Sequence, residues 1–137
     1  MGFNRFIIGT KPTLDITEII ILDSAKIQEE DAERANEEEF TKHNPAKPLY
    51  TVEDAEKTIE HFKEAAEGEW FDLFEGISVR FQYNGHIMGA TFIELDIHGK
   101  RFVFSGDIGR VEDTLLYPPK KPDYADILFT ESTYGNR

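Results

Sequence analysis

Apolar and polar positions alternate with a period of two along much of the second half of this chain. The run Ile77–Tyr83 alternates cleanly, and Ile93–Ile97 does so again before a turn at His98-Gly99. Successive side chains of a strand point to opposite faces of a sheet, so this alternation predicts half-buried strands. Arg101–Phe104 then completes a predicted hairpin. Two more apolar runs are predicted as strands: Trp70–Phe74 and Ile127–Phe129.

The first half of the chain follows helical spacing instead. Pro12 is predicted to lie in the first turn of a helix, where proline is well tolerated. The apolar face of that helix is predicted to comprise Ile16, Ile19, Ile20 and Leu22. The acidic run Gln28–Glu39 is predicted to be a solvated helix face. Thr51–Asp54 has the pattern of a capping box, and Gly68 is predicted to end the helix that it starts. Helices followed by strands favour an α/β class.

The charge and composition of the chain exclude some binding partners. The net charge is −12, and the first 75 residues carry 8 basic and 19 acidic side chains, whereas the rest carry 7 and 8. Non-specific nucleic-acid binding depends on Lys and Arg, so any basic groove for RNA must come from elsewhere. No apolar run approaches the roughly 18–20 residues of a membrane span, and no membrane partner is expected. The chain has no cysteine, which excludes thiolate ligands and is consistent with an expected cytoplasmic location.

Two side chains that could bind a metal flank the predicted hairpin. His86 precedes its first strand and Asp107 follows its second, so both loops lie at the same end of the hairpin. Glu131 follows the last predicted strand. Imidazole and carboxylate groups that converge at strand ends are typical of hydrolytic metal centres. The alternative is that His86 and Asp107 are turn residues that bond only to nearby backbone, and the pattern leaves both readings open.

The other candidate residues lack such a pattern. His43 lies in a proline-flanked loop, His61 lies in the predicted second helix and His98 lies in the hairpin turn. Ser132 and Thr133 lack the Gly-x-Ser-x-Gly context of an activated nucleophile. No Gly-x-Gly-x-x-Gly motif or other phosphate-binding loop occurs in the sequence. We therefore expect structural roles for these three histidines and no nucleophilic role for Ser132 or Thr133.

Three blocks around the metal-ligand candidates resemble the β-CASP branch of the metallo-β-lactamase family. These blocks are Gly85–Ala90, Ser105–Arg110 and Glu131–Gly135. Leu22–Asp31 and Pro48–Thr51 are also similar to the connecting segment of its bacterial and archaeal members. The branch contains zinc-dependent RNA nucleases, including ribonuclease J-like enzymes and the endonuclease of mRNA 3′-end cleavage.

The resemblance implies a fold and a domain organisation. Residues 1–137 would form part of an αββα sandwich, with helices in the first half and a mixed sheet in the second. Within it, residues 11–67 would be a helical connecting segment and residues 70–131 a strand-rich half that carries the metal loops. The β-CASP cap would follow residue 135.

The resemblance also implies a role for each site residue. His86 matches the third-motif histidine, which binds one zinc ion, and Asp107 matches the fourth-motif aspartate, which bridges two. Glu131 matches the acidic residue of the first β-CASP motif, which supports the metal site. These three residues are therefore the implied catalytic group. A complete site would hold two zinc ions and hydrolyse RNA through an activated hydroxide. RNA is the implied partner of the full-length protein, and a homo-oligomer is a further expectation.

The sequence departs from the family in one respect. The main zinc motif, His-x-His-x-Asp-His, is absent, and the four histidines are dispersed at His43, His61, His86 and His98. Catalytic zinc sites normally use at least three protein ligands. We therefore expect an internal fragment that lacks the other ligands, binds zinc weakly and does not cleave RNA alone. Two alternatives remain: a metallo-β-lactamase-fold hydrolase of a small ester or thioester, and a non-catalytic interaction module that lost its metals.

Overall fold

The computed structural model describes residues 3–39, 41–133 and 135, and these form two helices and seven strands. In chain order the elements are β1 (Ile7–Gly9), α1 (Lys11–Glu37), α2 (Val52–Ile59), β2 (Phe62–Glu64), β3 (Trp70–Phe74), β4 (Ile77–Tyr83), β5 (Thr91–Ile97), β6 (Lys100–Phe104) and β7 (Ile127–Phe129). Strands β1 and β2 form a two-stranded sheet, and β3 to β7 form a five-stranded sheet in that order. The sheet is antiparallel from β3 to β6 and parallel between β6 and β7. The predicted α/β class, with helices first and a mixed sheet second, is confirmed.

The chain divides into two compact units. The helical unit comprises the residues up to Ile8 together with Leu14–Lys63, and the sheet unit comprises Gly9–Thr13 together with the residues from Glu64 onward. Within the described part of the chain, no helix is long and apolar enough to cross a membrane.

Helix α1 buries small side chains rather than its isoleucines. Ala25 and Ala35 are buried, whereas Ile16, Ile19 and Ile20 of the predicted apolar face are 40%, 69% and 58% exposed. Side-chain hydrogen bonds from the later turns of α1 join it to the rest of the helical unit. The hydroxyl groups of Ser24 and Tyr50, for example, lie 2.5 Å apart.

An asparagine near the end of α1 fixes the loop that follows it. The side-chain amide of Asn36 donates to the carbonyl oxygens of Ala32 and Ala46 at 2.8 and 3.0 Å. Its Oδ1 accepts from the backbone N–H of Ala46 at 2.7 Å. Both arms of the amide are therefore satisfied by backbone groups, as polar side chains near a helix end commonly are.

Helix α2 begins with the predicted capping box. Thr51 Oγ1 accepts from the backbone N–H of Asp54 at 3.2 Å, and the Asp54 carboxylate accepts from the backbone N–H of Thr51 at 3.0 Å. The hydrogen bond from the Thr51 backbone lowers the pKa of Asp54, and the Thr51 hydroxyl lowers it further. Both groups thereby satisfy donors that a helix N-terminus leaves without partners.

The predicted end of this second helix is wrong. Helix α2 ends at Ile59 rather than near Gly68, His61 lies in the turn that follows, and β2 occupies part of the predicted helix. The cause is backbone pairing at a distance in sequence. The N–H of Ile7 donates to the carbonyl of His61 at 2.9 Å, so extended backbone replaces the last helical turns.

The central strands of the five-stranded sheet have different chemistry on their two faces. Val79 and Phe81 of β4 are buried on one face, opposite Leu95 and Ile93 of β5. The other face buries Phe92 and Val103 together with a charged residue, Glu94. The alternation predicted from sequence is therefore observed, but its polar side is not a solvent side.

Glu94 is completely buried and lies among cationic groups. Its carboxylate accepts from Arg80 Nε at 2.6 Å, Gln82 Nε2 at 3.2 Å and Arg101 Nη1 at 3.4 Å. The hydrogen bond with Glu94 raises the pKa of Arg80. Both guanidinium groups also lie over the ring of Trp70, at 4.8 and 4.4 Å from its centroid. We refer to these five residues as the Glu94 cluster. It compensates a charge that would be very unfavourable if it were buried alone.

The strand order brings three loops to the same end of the five-stranded sheet. Strands β4, β6 and β7 finish at this end of the sheet and β5 starts there. The reason is that β4 and β6 both run antiparallel to β5, and β7 runs parallel to β6. Phe104 and Phe129, the last residues of β6 and β7, stack with their ring centroids 4.7 Å apart. The loops after β4, β6 and β7 are therefore neighbours.

Candidate metal centre

His86 and Asp107 lie close together at this end of the sheet. His86 lies in the loop between β4 and β5, Asp107 lies in the loop after β6, and His86 Nε2 is 3.8 Å from Asp107 Oδ2. Their side chains are 45% and 73% exposed, so both remain open to a ligand. The hairpin thus brings together the two residues that the sequence suggested as metal ligands.

The backbones of the two loops pack closely. The N–H of Gly109 donates to the carbonyl oxygen of Asn84 at 2.9 Å, which joins the loop after β6 to the end of β4. A Cβ atom built on Gly109 would overlap the backbone of Gly85 and His86. Glycine at position 109 is therefore required by close backbone approach.

Glu131 acts on the Asp107 loop through the backbone. Its Oε1 accepts from the N–H of Ile108 at 2.6 Å, and its own N–H donates to Ser105 Oγ at 3.1 Å. The Ile108 hydrogen bond is the largest of several effects that lower the pKa of Glu131; Thr133 and the charge of His86 lower it further. Glu131 is therefore an ionised neighbour that holds the loop carrying Asp107.

We expect the amide resonance of Ile108 to report the ionisation of Glu131. The pKa of Glu131 is lowered in the folded chain, so the hydrogen bond contributes stability above the ordinary pKa of 4.5. That contribution is lost as the pH falls through the lower, folded value. A pH titration followed by NMR should give an Ile108 midpoint below 4.5. In a Glu131→Gln control this step should vanish, and a wild-type midpoint at or above 4.5 would contradict the assignment.

An open cleft of about 620 Å³ lies over these loops. Besides the residues already described, Arg110 and Asp113 line it. Sequence reasoning gave neither residue a role of its own, although Arg110 belongs to the block that carries Asp107. The side-chain charge of Arg110 helps to lower the pKa of Asp113, after the larger effect of the Leu115 and Leu116 backbone N–H groups. The cleft therefore contains a cation beside the candidate ligands.

The donor atoms of His86 and Asp107 fit a shared metal ion. Zinc binds imidazole nitrogen at about 2.0–2.1 Å and carboxylate oxygen at about 2.0–2.2 Å, so two ligand atoms on one tetrahedral ion lie roughly 3.4 Å apart. The observed separation of 3.8 Å is longer by about 0.4 Å, which a small rotation of these exposed side chains would close. In residues 3–39, 41–133 and 135, no group of three or more His, Asp, Glu or Cys side chains could hold a metal ion. The described residues thus fit part of a zinc site.

The other three histidines belong to other segments of the chain. His98 is exposed in the turn between β5 and β6, at the opposite end of the hairpin, and has a backbone φ of 50°. His61 follows α2, and His43 lies in the loop between the helices. Tyr134, which is part of the third family-like block, lies outside the described residues.

Sequence reasoning missed Asn84. This residue is 2% exposed, and its side chain bonds to the two loops that carry His86 and Asp107, named the metal loops after these candidate ligands. An asparagine before a glycine at a strand end is ordinarily a turn residue, so local sequence carried no signal for its long-range contacts.

Comparison with characterised proteins relates the whole chain to RNA nucleases. No protein-family model matches it. It is 29% identical over 136 residues to a ribonuclease from Thermus thermophilus, which covers 99% of this chain and 27% of the relative. An RNase J-like protein from Methanocaldococcus jannaschii is 35% identical over 88 residues, which are 64% of this chain and 21% of that protein. Cleavage and polyadenylation specificity factor 73 from Drosophila melanogaster is 36% identical over 91 residues, covering 64% of this chain and 13% of the relative.

These relatives agree with the α/β fold class of the chain, since they are nucleases of the metallo-β-lactamase fold. The chain spans between 13% and 27% of their lengths. Members of the β-CASP nuclease family are generally zinc-dependent. The resemblance inferred from the sequence is thereby confirmed: the homologues of this chain are nucleases of the β-CASP branch of the metallo-β-lactamase family, and the chain corresponds to part of them.

Proposed function

We propose that this chain forms part of the zinc centre of an RNA nuclease, with His86 and Asp107 as two of its metal ligands. The observation that carries the proposal is the 3.8 Å approach of two exposed donor atoms from separate loops. The relatives add the substrate class, since those named above include a ribonuclease and an RNase J-like protein. RNA is therefore the proposed substrate of the complete protein.

Each residue of the cleft has a proposed task. When bound, a pair of zinc ions would polarise the phosphodiester and supply a hydroxide nucleophile. His86 would hold one ion, and Asp107 would hold both. Glu131 would keep the Asp107 loop in place through its hydrogen bond with the Ile108 N–H. Arg110, in the same cleft, would bind a phosphate oxygen of the RNA.

The chain alone is proposed to be inactive. His86 and Asp107 provide two ligands, and the sequence contains no His-x-His-x-Asp-His motif to provide more. The net charge of −12 also leaves little general attraction for RNA. Hydrolysis of a small ester or thioester receives no support from the RNA-processing names of the relatives. A cytoplasmic location and a homo-oligomer remain predictions.

Zinc titration of the chain, followed by NMR, tests the proposed ligands. We expect the His86 and Asp107 resonances to shift together with one affinity, and dialysis to remove the zinc because two ligands bind weakly. His86→Ala should weaken binding by more than about tenfold. His98→Ala is the matched control, because it removes an exposed histidine at the other end of the hairpin, and it should bind zinc like the wild type.

Three results would contradict the proposal. Wild-type His86 and Asp107 resonances that ignore zinc would favour a non-catalytic module. One or two zinc ions per chain after dialysis would mean that further ligands complete the site. RNA cleavage by the pure chain that is abolished by EDTA and by His86→Ala would show that the chain is active by itself.

A further inference from the structure

Asn84 connects the backbones of the two metal loops. Its Nδ2 donates to the carbonyl oxygen of Asp107 at 2.8 Å and to that of Ser105 at 3.3 Å. Its Oδ1 accepts from the backbone N–H of His86 at 3.3 Å. Its main-chain oxygen accepts from Gly109 at 2.9 Å. One buried residue thus bonds directly to both proposed ligands and to Ser105 and Gly109, which lie two positions before and after Asp107.

The partners of Asn84 differ from those of an ordinary turn asparagine. A turn asparagine bonds mainly to backbone groups within a few positions of itself. Asn84 has one such bond, to His86, whereas its two amide donors reach residues 21 and 23 positions away. The side chain therefore does more than stabilise its own turn.

The ligand side chains need this support because burial does not hold them. The side chains of His86 and Asp107 are 45% and 73% exposed, so neither is held in place by surrounding core residues. Their positions follow from where the two loop backbones lie. Asn84, at 2% exposure, is the buried polar group that joins those backbones. Buried hydrogen bonds of this kind are strong determinants of local geometry.

We propose that Asn84 is a positioning residue that sets the separation of His86 and Asp107 before a metal binds. This inference rests on the proposed metal centre. Asn84 contacts no substrate and supplies no ligand; it acts through the backbones of the two residues that do. Metal affinity should therefore depend on Asn84 more strongly than global stability does, in the way that groups behind a metal ligand tune its affinity.

The test compares Asn84→Leu with Asn36→Leu in the 137-residue chain. Leucine has nearly the shape of asparagine but makes no hydrogen bonds. Asn36 is the matched control because its amide also donates to two carbonyl oxygens and accepts one backbone N–H, in the helical unit. Amide hydrogen exchange of the metal-free chain and zinc titration by NMR are measured for both variants. Should Asn84→Leu fail to fold, Asn84→Ala takes its place.

In Asn84→Leu we expect the His86 and Gly109 amides to exchange faster and zinc affinity to fall by about tenfold, while the strand amides of β4 and β5 stay protected. In Asn36→Leu the Ala46 amide should exchange faster, with zinc affinity unchanged. A folded Asn84→Leu chain with loop exchange and zinc affinity within about twofold of the wild type overturns the role of Asn84 alone. A wild-type chain whose His86 and Asp107 resonances ignore zinc overturns the metal centre itself.

Discussion

Replacing Glu94 with glutamine is expected to lower the free energy of unfolding by about 3 kcal/mol, because it leaves two partly buried arginines without their shared carboxylate. Glu94 is completely buried and bonds to Arg80 and Arg101, and glutamine keeps its shape while removing its charge. Partial compensation remains, since Asp96 and Asp123 also pair with these arginines. The loss is measured as the shift in urea denaturation midpoint at unchanged m-value.

Glu53→Gln is the control for this experiment. Glu53 also pairs with a cation, Lys57 at 2.6 Å, but both side chains are largely exposed. An exposed pair of this spacing is screened by solvent and contributes little to stability, so its removal should hardly move the midpoint. Equal effects of the two substitutions would refute a stabilising role for the Glu94 cluster.

Gly109→Ala is expected to separate the two metal loops and to weaken zinc binding by about 10- to 100-fold. The added Cβ would overlap the backbone of Gly85 and His86, and backbone atoms cannot rotate away as a flexible side chain can. The Asp107 loop must then move as a whole. Overpacking of this kind also costs about 1–3 kcal/mol of stability. Zinc titration and NOE contacts between His86 and Asp107 provide the measurement.

Gly68→Ala separates this local effect from a general one. Gly68 lies in the same unit and has a φ of 82°, but a Cβ there would meet no atom within 4 Å. Alanine should therefore cost about 1–2 kcal/mol of backbone strain and leave zinc binding unchanged. If Gly109→Ala bound zinc as tightly as Gly68→Ala, close packing of the loops would not control the site.

Local patterns predicted the elements whose stability is local. The alternation in β4 and in the β5–β6 hairpin was sufficient, and so was the capping box at Thr51. These patterns failed where backbone hydrogen bonds between residues far apart in the sequence determined the secondary structure. Residues Phe62–Glu64 have helical spacing with α2 but form a strand, because their neighbour His61 pairs with Ile7. Glu94 lies on the polar side of an alternating strand, and nothing local shows that two arginines bury it.

Some features of the site could likewise be predicted from the sequence, and others could not. The hairpin logic predicted that His86 and Asp107 would approach each other, because a two-residue turn fixes which strand ends are adjacent. The position of Glu131 after a predicted strand made it a candidate, the family resemblance implied a supporting role, and its contact with the Ile108 N–H gives that role a physical basis. Asn84 could not be predicted, since its function depends on carbonyl groups more than 20 positions away.

Because Trp70 lies in the sheet unit, the two units of the chain can be followed by different spectroscopic signals. Trp70 is the single tryptophan of the sequence and lies against Arg80 and Arg101 in the sheet unit. Its fluorescence therefore follows the loss of the five-stranded sheet. Far-ultraviolet circular dichroism is dominated by α1 and α2, most of which lie in the helical unit. Coincident transitions by the two probes mean that the units unfold together, and separate transitions mean that each is a cooperative unit of its own.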